Sequence, residues 1–301
     1  MVSINPTKWL LQGRILPQYC WDDLKGFSVR SSGYWLILFG VLLAEMVSAE
    51  PGQKQPVENP NAATGTEVAD VHPILVELFT SEGCSSCPPA DALLEKMDMS
   101  APISGAQFVV LSEHVDYWDH DGWKDPHSSS VLTERQNDYV RALRLKTAYT
   151  PQIIVDGTSE VRANDGQAAN KVFQEAASAA KIPVRIGEVN IETGNPSVVR
   201  ARIEVDGESD SRNADVYVAV ALDRVESQVL HGENGGKHLT HVAVVVQLTK
   251  VGKLAKGKSF AETVQLKLKP SIDPKNVRIV AFVQEPGPGK LLGAALRRPT
   301  S

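Results

Sequence analysis

A buried-strand pattern runs into a cysteine pair and from there into a helix: "PILVELFTSEGCSSCPPADALLEKM", Pro73 to Met97. No other stretch constrains the fold as much. Pro73–Thr80 is nearly all apolar and β-rich, the pattern of a strand covered on both faces. "PPADALLEKM" places proline in the first turn of a helix, where its missing N–H does no harm. Leu93, Leu94 and Met97 mark the buried side of that helix.

"QFVVLSE", Gln107 to Glu113, reads as a second strand, and a polar, aromatic loop follows from His114 to about Ser130. Thr133 and Gln136 have the spacing of a capping box, which predicts a helix from about Glu134 to Arg144. "TPQIIVDG" is a strand ending in an Asp-Gly turn, "SEVRAND" pairs back on it, and "GQAANKVFQEAASAAK" is a last helix. The order βαβ, α, ββ, α predicts a parallel sheet with an antiparallel edge, the element order of an α/β thioredoxin-like domain.

After Pro183 the pattern changes to short alternating strands, from "VRIGEVNIE" to "NVRIVAFVQE", with Gly, Asn, Asp or Pro turns. This predicts an all-β C-terminal domain, most simply a sandwich. The expected divisions are a leader over 1–49, a linker rich in Pro, Asn, Thr and Gly over 50–71, a thioredoxin-like domain over 72–182 and a β-rich domain over 183–298.

The leader reads as an address. Tyr34–Ala44 is an apolar run with Arg30 before it, and Val47-Ser48-Ala49 after it resembles a signal-peptidase site. The run is shorter than the roughly 20 residues that span a bilayer, so no retained membrane span is expected. The polar first 28 residues do not fit a signal peptide, and translation is expected to start near Val29. Cleavage after Ala49 removes Cys20 and delivers Cys84 and Cys87 to an oxidising compartment, the periplasm or beyond. The net charge of −5, with no dense cluster of Lys or Arg, argues against a nucleic-acid partner.

A CxxC pair at the start of a helix is placed for redox chemistry. Free N–H groups and partial positive charge there stabilise a thiolate. Cys84, before the helix and expected to be the more exposed, is the predicted attacking thiol. Cys87, within the first turn, resolves the mixed disulfide. Glu82 is near enough to oppose the Cys84 thiolate, and no Lys, Arg or His flanks the pair. "YTP", Tyr149 to Pro151, precedes the third strand, where thioredoxin-like proteins place a cis-proline facing the disulfide. The expected partner is a protein thiol or disulfide, with no cofactor.

Two alternatives stay open. One is a copper or other metal chaperone using Cys84, Cys87 and a histidine. The other is a binding module with a vestigial redox site. "EHVDYWDHDGWKDPHS", Glu113 to Ser128, concentrates His114, Asp116, Asp119, His120, Asp121, Asp125 and His127, but the spacing matches no standard ligand set. It reads as a packed loop shaping the groove beside Cys84. "LHGENGGKHLTH", Leu230 to His241, holds three histidines in a Gly-rich stretch and reads as a loop with turn chemistry.

"VELFTSEGCSSCPPAD", "LSEHVDYWDHDGWKDPHSSSVLTERQNDYV", "YTPQIIVDG" and "GENGGKHLTHVAVV" together resemble the secreted bacterial proteins of domain-of-unknown-function family 1223. The resemblance covers about Pro73 to the C-terminus. It implies a thioredoxin-like domain with a β-rich partner, Cys84 and Cys87 as the redox pair, and Pro151 as the cis-proline. The chain departs from thioredoxin itself. No tryptophan precedes Cys84 and no proline separates the cysteines, so donor, partner and potential do not carry over.

Overall fold

The computed structural model describes residues 71–299, apart from 101–102, 104, 163–165 and 208–211. The leader, and all of the linker but its last residue, lie outside the described residues. What is described belongs to one compact unit, 63–301. Its elements are β1 (His72–Thr80), α1 (Pro88–Met99), β2 (Ala106–His114), α2 (Ser130–Ala142), β3 (Gln152–Val155), β4 (Ser159–Val161) and α3 (Gly166–Ser178). Then come β5 (Val184–Glu192), β6 (Val198–Val205), β7 (Ala214–Gln228), β8 (His238–Leu254), β9 (Phe260–Lys267), β10 (Val277–Gln284) and β11 (Leu291–Arg297). No helix among the described residues is long and apolar enough to cross a membrane.

The expected α/β thioredoxin-like domain followed by an all-β sandwich does not form. The fold is mostly β, and one mixed sheet of eight strands runs in the order β11-β10-β7-β8-β2-β1-β3-β4. A smaller antiparallel sheet, β5-β6-β9, accompanies it. The physical reason lies at β2. Phe108–Leu111 are buried whichever way their side chains point, so an open edge there would strand peptide groups beside apolar surface. β8 takes that edge in parallel, with Ser112 opposite Val244, and brings β7, β10 and β11 with it.

Alternation along the strands then builds the larger apolar cores. Ile74, Val76 and Leu78 of β1 face α1 and α3 through Leu94, Phe108 and Phe173. Leu75 of β1 points the other way, with Val109 and Leu111 of β2, and packs with Leu132 of α2, Val245 of β8 and Phe282 of β10. Ile203, Val199 and Leu266 of the small sheet close over Val218, Val220 and Ile279 of the large one.

A buried polar knot also ties the halves. Arg135 of α2 lies 2.6 Å from Glu77 of β1 and 3.6 Å from Glu113 of β2. Its guanidinium donates to the Tyr139 hydroxyl at 2.9 Å and to Gln284 Oε1 of β10 at 3.1 Å. It sits 5.0 to 5.6 Å from the ring centres of Tyr139, Phe282 and Tyr217.

Local differences from the sequence reading have local causes. α2 starts at Ser130, with Ser129 as its N-cap. The capping-box pair is used elsewhere: Thr133 Oγ1 donates to Asp116, and the Gln136 amide donates to Tyr149 O and Gln152 Oε1. β11 escaped notice because Gly293, Ala294 and Ala295 are poor strand formers. Gly293 is required there, since a Cβ would lie 2.2 Å from Ile182 O.

Candidate functional site

β1 ends at Thr80 and the chain turns through Ser81–Cys87 into α1. Cys84 N donates to Ser81 O at 3.1 Å and Cys87 N to Cys84 O at 3.2 Å, so the turn is tight. Cys84 and Cys87 form a disulfide, with Cα atoms 5.5 Å apart. Cys87 is the N-cap of α1 rather than a residue of its first turn, and it makes no side-chain cap bond. Both cysteines are fully buried. The expectation that Cys84 is the more exposed of the two is therefore corrected. Only the spacer residues Ser85 and Ser86 reach solvent, and Cys84 Sγ lies 3.3 Å from Ser86 Oγ.

Three segments close over this turn. The first is the loop after β2. The Trp118 Cβ lies so near Gly83 that a Cβ on the glycine would meet it at 3.1 Å. Trp118 Nε1 donates to Thr150 Oγ1 at 2.8 Å. The second is the segment entering β3, where the Thr150–Pro151 peptide bond is cis. Phe79 pairs with Gln152, so Pro151 follows on beside the end of β1, just before the cysteine turn.

The third segment is the Gly-rich stretch before β8, read from sequence as an ordinary loop. Asn234 is buried and its amide donates to Glu82 O at 2.8 Å and Cys84 O at 2.9 Å. Glu233 Oε2 accepts from Ser85 N at 3.0 Å. Gly232 makes the turn with a φ of 75°, where a Cβ would meet Asp121 O at 3.1 Å. Neither Glu233 nor Asn234 was singled out from the sequence. The glycines at 232, 235 and 236 were the available signal of a tight turn, but not of what the turn would touch.

Behind the disulfide lies a buried polar cluster. His114, at the end of β2, holds Asp125 Oδ2 at 2.7 Å. The same carboxylate accepts from Glu82 N at 2.9 Å and, through its other oxygen, from His127 N at 2.8 Å. Burial works against the charge on His114, but the attraction of Asp125 prevails and the imidazole titrates above its usual range. Burial likewise opposes ionisation of Asp125, yet His114 and the two amides hold its carboxyl far below the carboxylate range. His127 is pushed down to about 4, first by burial and then by the His114 charge. Glu82 Oε2 accepts from Trp123 Nε1 at 2.8 Å. His241, near the start of β8, packs edge-on to His114 with ring centres 4.7 Å apart.

Of the acids and histidines in the loop after β2, the structure brings His114, Asp125 and His127 to this cluster and leaves His120 and Asp121 exposed. No group of three or more His, Cys, Asp or Glu side chains among the described residues is arranged to hold a metal ion.

Glu233 occupies a place with a chemical consequence. An anion on the Ser85 amide adds negative charge beside Cys84 and engages a donor that a thiolate would otherwise use. In reduced protein carrying Cys87→Ser, Glu233→Gln is expected to speed alkylation of Cys84 at pH 7 by about three- to tenfold and to move the pH–rate curve to lower pH. Iodoacetamide trapping between pH 6 and 9 measures this. Superimposable curves would mean that the contact has no influence on the sulfur.

Comparison with known proteins agrees with this architecture. A crystal structure of an Agrobacterium tumefaciens protein aligns with 76% of this chain and 95% of its own, at 29% identity and a TM-score of 0.59. HBP35 of Porphyromonas gingivalis aligns over 77% of this chain and 78% of its own, at 15% identity and a TM-score of 0.56, a likeness of fold alone. No curated protein matches. Residues 75–284, which hold the disulfide, the cis-proline and the Asn234 turn, match the family described as "Protein of unknown function (DUF1223)", and the chain belongs to that family.

Proposed function

We propose that the protein exchanges thiols and disulfides with a partner protein in an oxidising compartment outside the cytoplasm. The observation that carries this reading is the disulfide itself, closed between the end of a buried strand and the start of α1. A bridge between residues three apart removes little unfolded-state entropy, so stability alone is a weak reason for it. The apolar run Tyr34–Ala44 and the Val47-Ser48-Ala49 site after it support export.

Cys84 is the sulfur attacked by the partner, because the exposed spacer begins beside it. Cys87, at the helix cap, resolves the mixed disulfide. Pro151 and Thr150 supply a backbone wall for an extended partner chain. Since both sulfurs are shut in, attack requires the Glu233–Ser85 contact to open.

The test is trapping. Removing Cys87 leaves Cys84 able to form a mixed disulfide and unable to release it. Reduced Cys87→Ser protein mixed with glutathione disulfide should accumulate a one-to-one glutathione adduct on Cys84. Unmodified cysteines should instead pass through a single two-electron transition across a glutathione redox series. A pair that neither reduces nor exchanges in such a series would leave the bridge as an inert fixture and favour a binding module.

A further inference from the structure

We infer that His241, held between Glu82 and Asp91, carries the proton that the Cys87 sulfur gains and loses during exchange. This deepens the reading just given and rests on it.

Exchange needs a proton at a place without water. A partner thiolate attacks Cys84 Sγ. The new partner–Cys84 bond forms, the Cys84–Cys87 bond breaks, and the electron pair goes to Cys87. The partner sulfur is oxidised and Cys87 reduced. Left as a thiolate in a fully buried position, Cys87 would carry a charge that the start of α1 offsets only in part. It therefore takes a proton. In the reverse step the Cys87 thiol gives its proton up, attacks the mixed disulfide and expels the partner thiolate.

Three titratable groups bracket the pair. Glu82 lies two residues before Cys84. Asp91 lies one helical turn after Cys87, whose carbonyl accepts the Asp91 N–H at 3.1 Å. His241 reaches in from β8 between them, with Nε2 3.9 Å from Glu82 Oε1 and Nδ1 3.7 Å from Asp91 Oδ1. All three residues are at least 95% buried. Yet both nitrogens of His241, both carboxylate oxygens of Asp91 and Glu82 Oε1 have no hydrogen-bond partner among the described residues. Buried polar atoms are ordinarily paired, whereas these lone pairs and ring nitrogens are free to exchange a proton among the three groups. Imidazole accepts a proton on one ring nitrogen and releases it from the other.

An exit is present as well. A cleft of about 190 Å³ opens between α1 and β8, lined by Pro88, Asp91, Glu95, His238 and Thr240. Asp91 lies between His241 and this cleft, with its carboxylate oxygens themselves buried. The neighbouring charges that act on His241 are Glu82 from the cysteine turn, Asp91 from α1 and His114 from β2, with Asp125 and His127 beyond. His114 and Asp125 are bonded to each other and so are committed. Glu95 at the cleft is paired with Arg224 at 2.5 Å.

The experiment is a single turnover of the reduced full chain with glutathione disulfide from pH 5 to 9, quenched in acid and read by mass spectrometry. Cys84 takes one glutathione, and release of the second reports attack by Cys87. His241→Gln is expected to slow release by about 10²-fold near neutral pH, the loss shrinking toward pH 9 where hydroxide removes the proton. Asp91→Asn is expected to slow it about tenfold, since one station of the relay no longer takes up the proton. A His241→Gln protein with the parent's rate and pH profile overturns the relay while leaving exchange intact. A parent that never takes up glutathione overturns exchange, and the relay with it. If His241→Gln does not fold, Asp91→Asn decides, and an unchanged rate and profile there overturns the proposal.

Discussion

Arg135→Met is expected to lower the unfolding free energy by about 3–5 kcal/mol at pH 7, the cost of breaking a buried ion pair by removing one partner. Methionine fills much of the volume among Tyr139, Phe282 and Tyr217, so the loss is electrostatic rather than a cavity. Glu77 and Glu113 would then face each other without the Arg135 cation between them. In the parent, burial, then the neighbouring Glu77, hold the Glu113 carboxyl well above the usual range, against the pull of Arg135. Without Arg135 that rise grows. An acid whose folded pKa exceeds its unfolded one adds stability below the unfolded value and loses it as pH rises through the folded value. The deficit of Arg135→Met should therefore be larger at pH 8 than at pH 5. Urea titrations at the two pH values measure it, and a deficit independent of pH would assign the loss to packing.

Acid should destabilise the region behind the disulfide through His127. Its folded pKa of about 4 lies below the ordinary 6.5, so the unfolded chain binds the proton more readily between those values. The stability this supplies is complete above about pH 6.5 and is lost as pH falls toward 4, on the order of 3 kcal/mol in all. His114 works in the opposite sense. Its raised pKa adds stability that is present below about 6.5 and lost as pH climbs through the folded value. His127→Gln keeps the backbone N–H that Asp125 accepts and removes the titration. Between pH 7 and 4 this variant should lose about 3 kcal/mol less than the parent, read from urea midpoints. Parallel curves for the two proteins would place the acid response elsewhere.

The strand–turn–helix at Cys84 and Cys87 was legible because it is local. An apolar run, a two-residue spacer and proline in the first helical turn specify themselves within 25 residues. The C-terminal strands were legible for the same reason, as their alternation survives in β6 and β9, while β5 breaks it with an irregularity between Ile186 and Val189. The pairing of β2 with β8 was not legible. A strand apolar on both faces announces that its edges are covered but not by what, and the partner enters some 130 residues later. The same distance hid half of the candidate site. His241 was read with the Gly-rich loop, although β8 begins at His238 and buries it. Asn234 looks like a turn residue, and only the three-dimensional path of β7 and β8 brings its amide to the carbonyls of Glu82 and Cys84.

The clamp formed by Asn234 also sets an order of events for a newly made chain. Cys84 and Cys87 are three residues apart, so they meet an oxidant as soon as their own segment is free, without help from the sheet. Part of their cover comes much later in synthesis, from residues that follow β7, and closing such a long loop is costly in chain entropy. An oxidant therefore finds the sulfurs open in the young chain and closed in the finished one. On the exchange reading proposed above, changing the bridge in the finished protein takes a reactant before which the Asn234 and Glu233 contacts open.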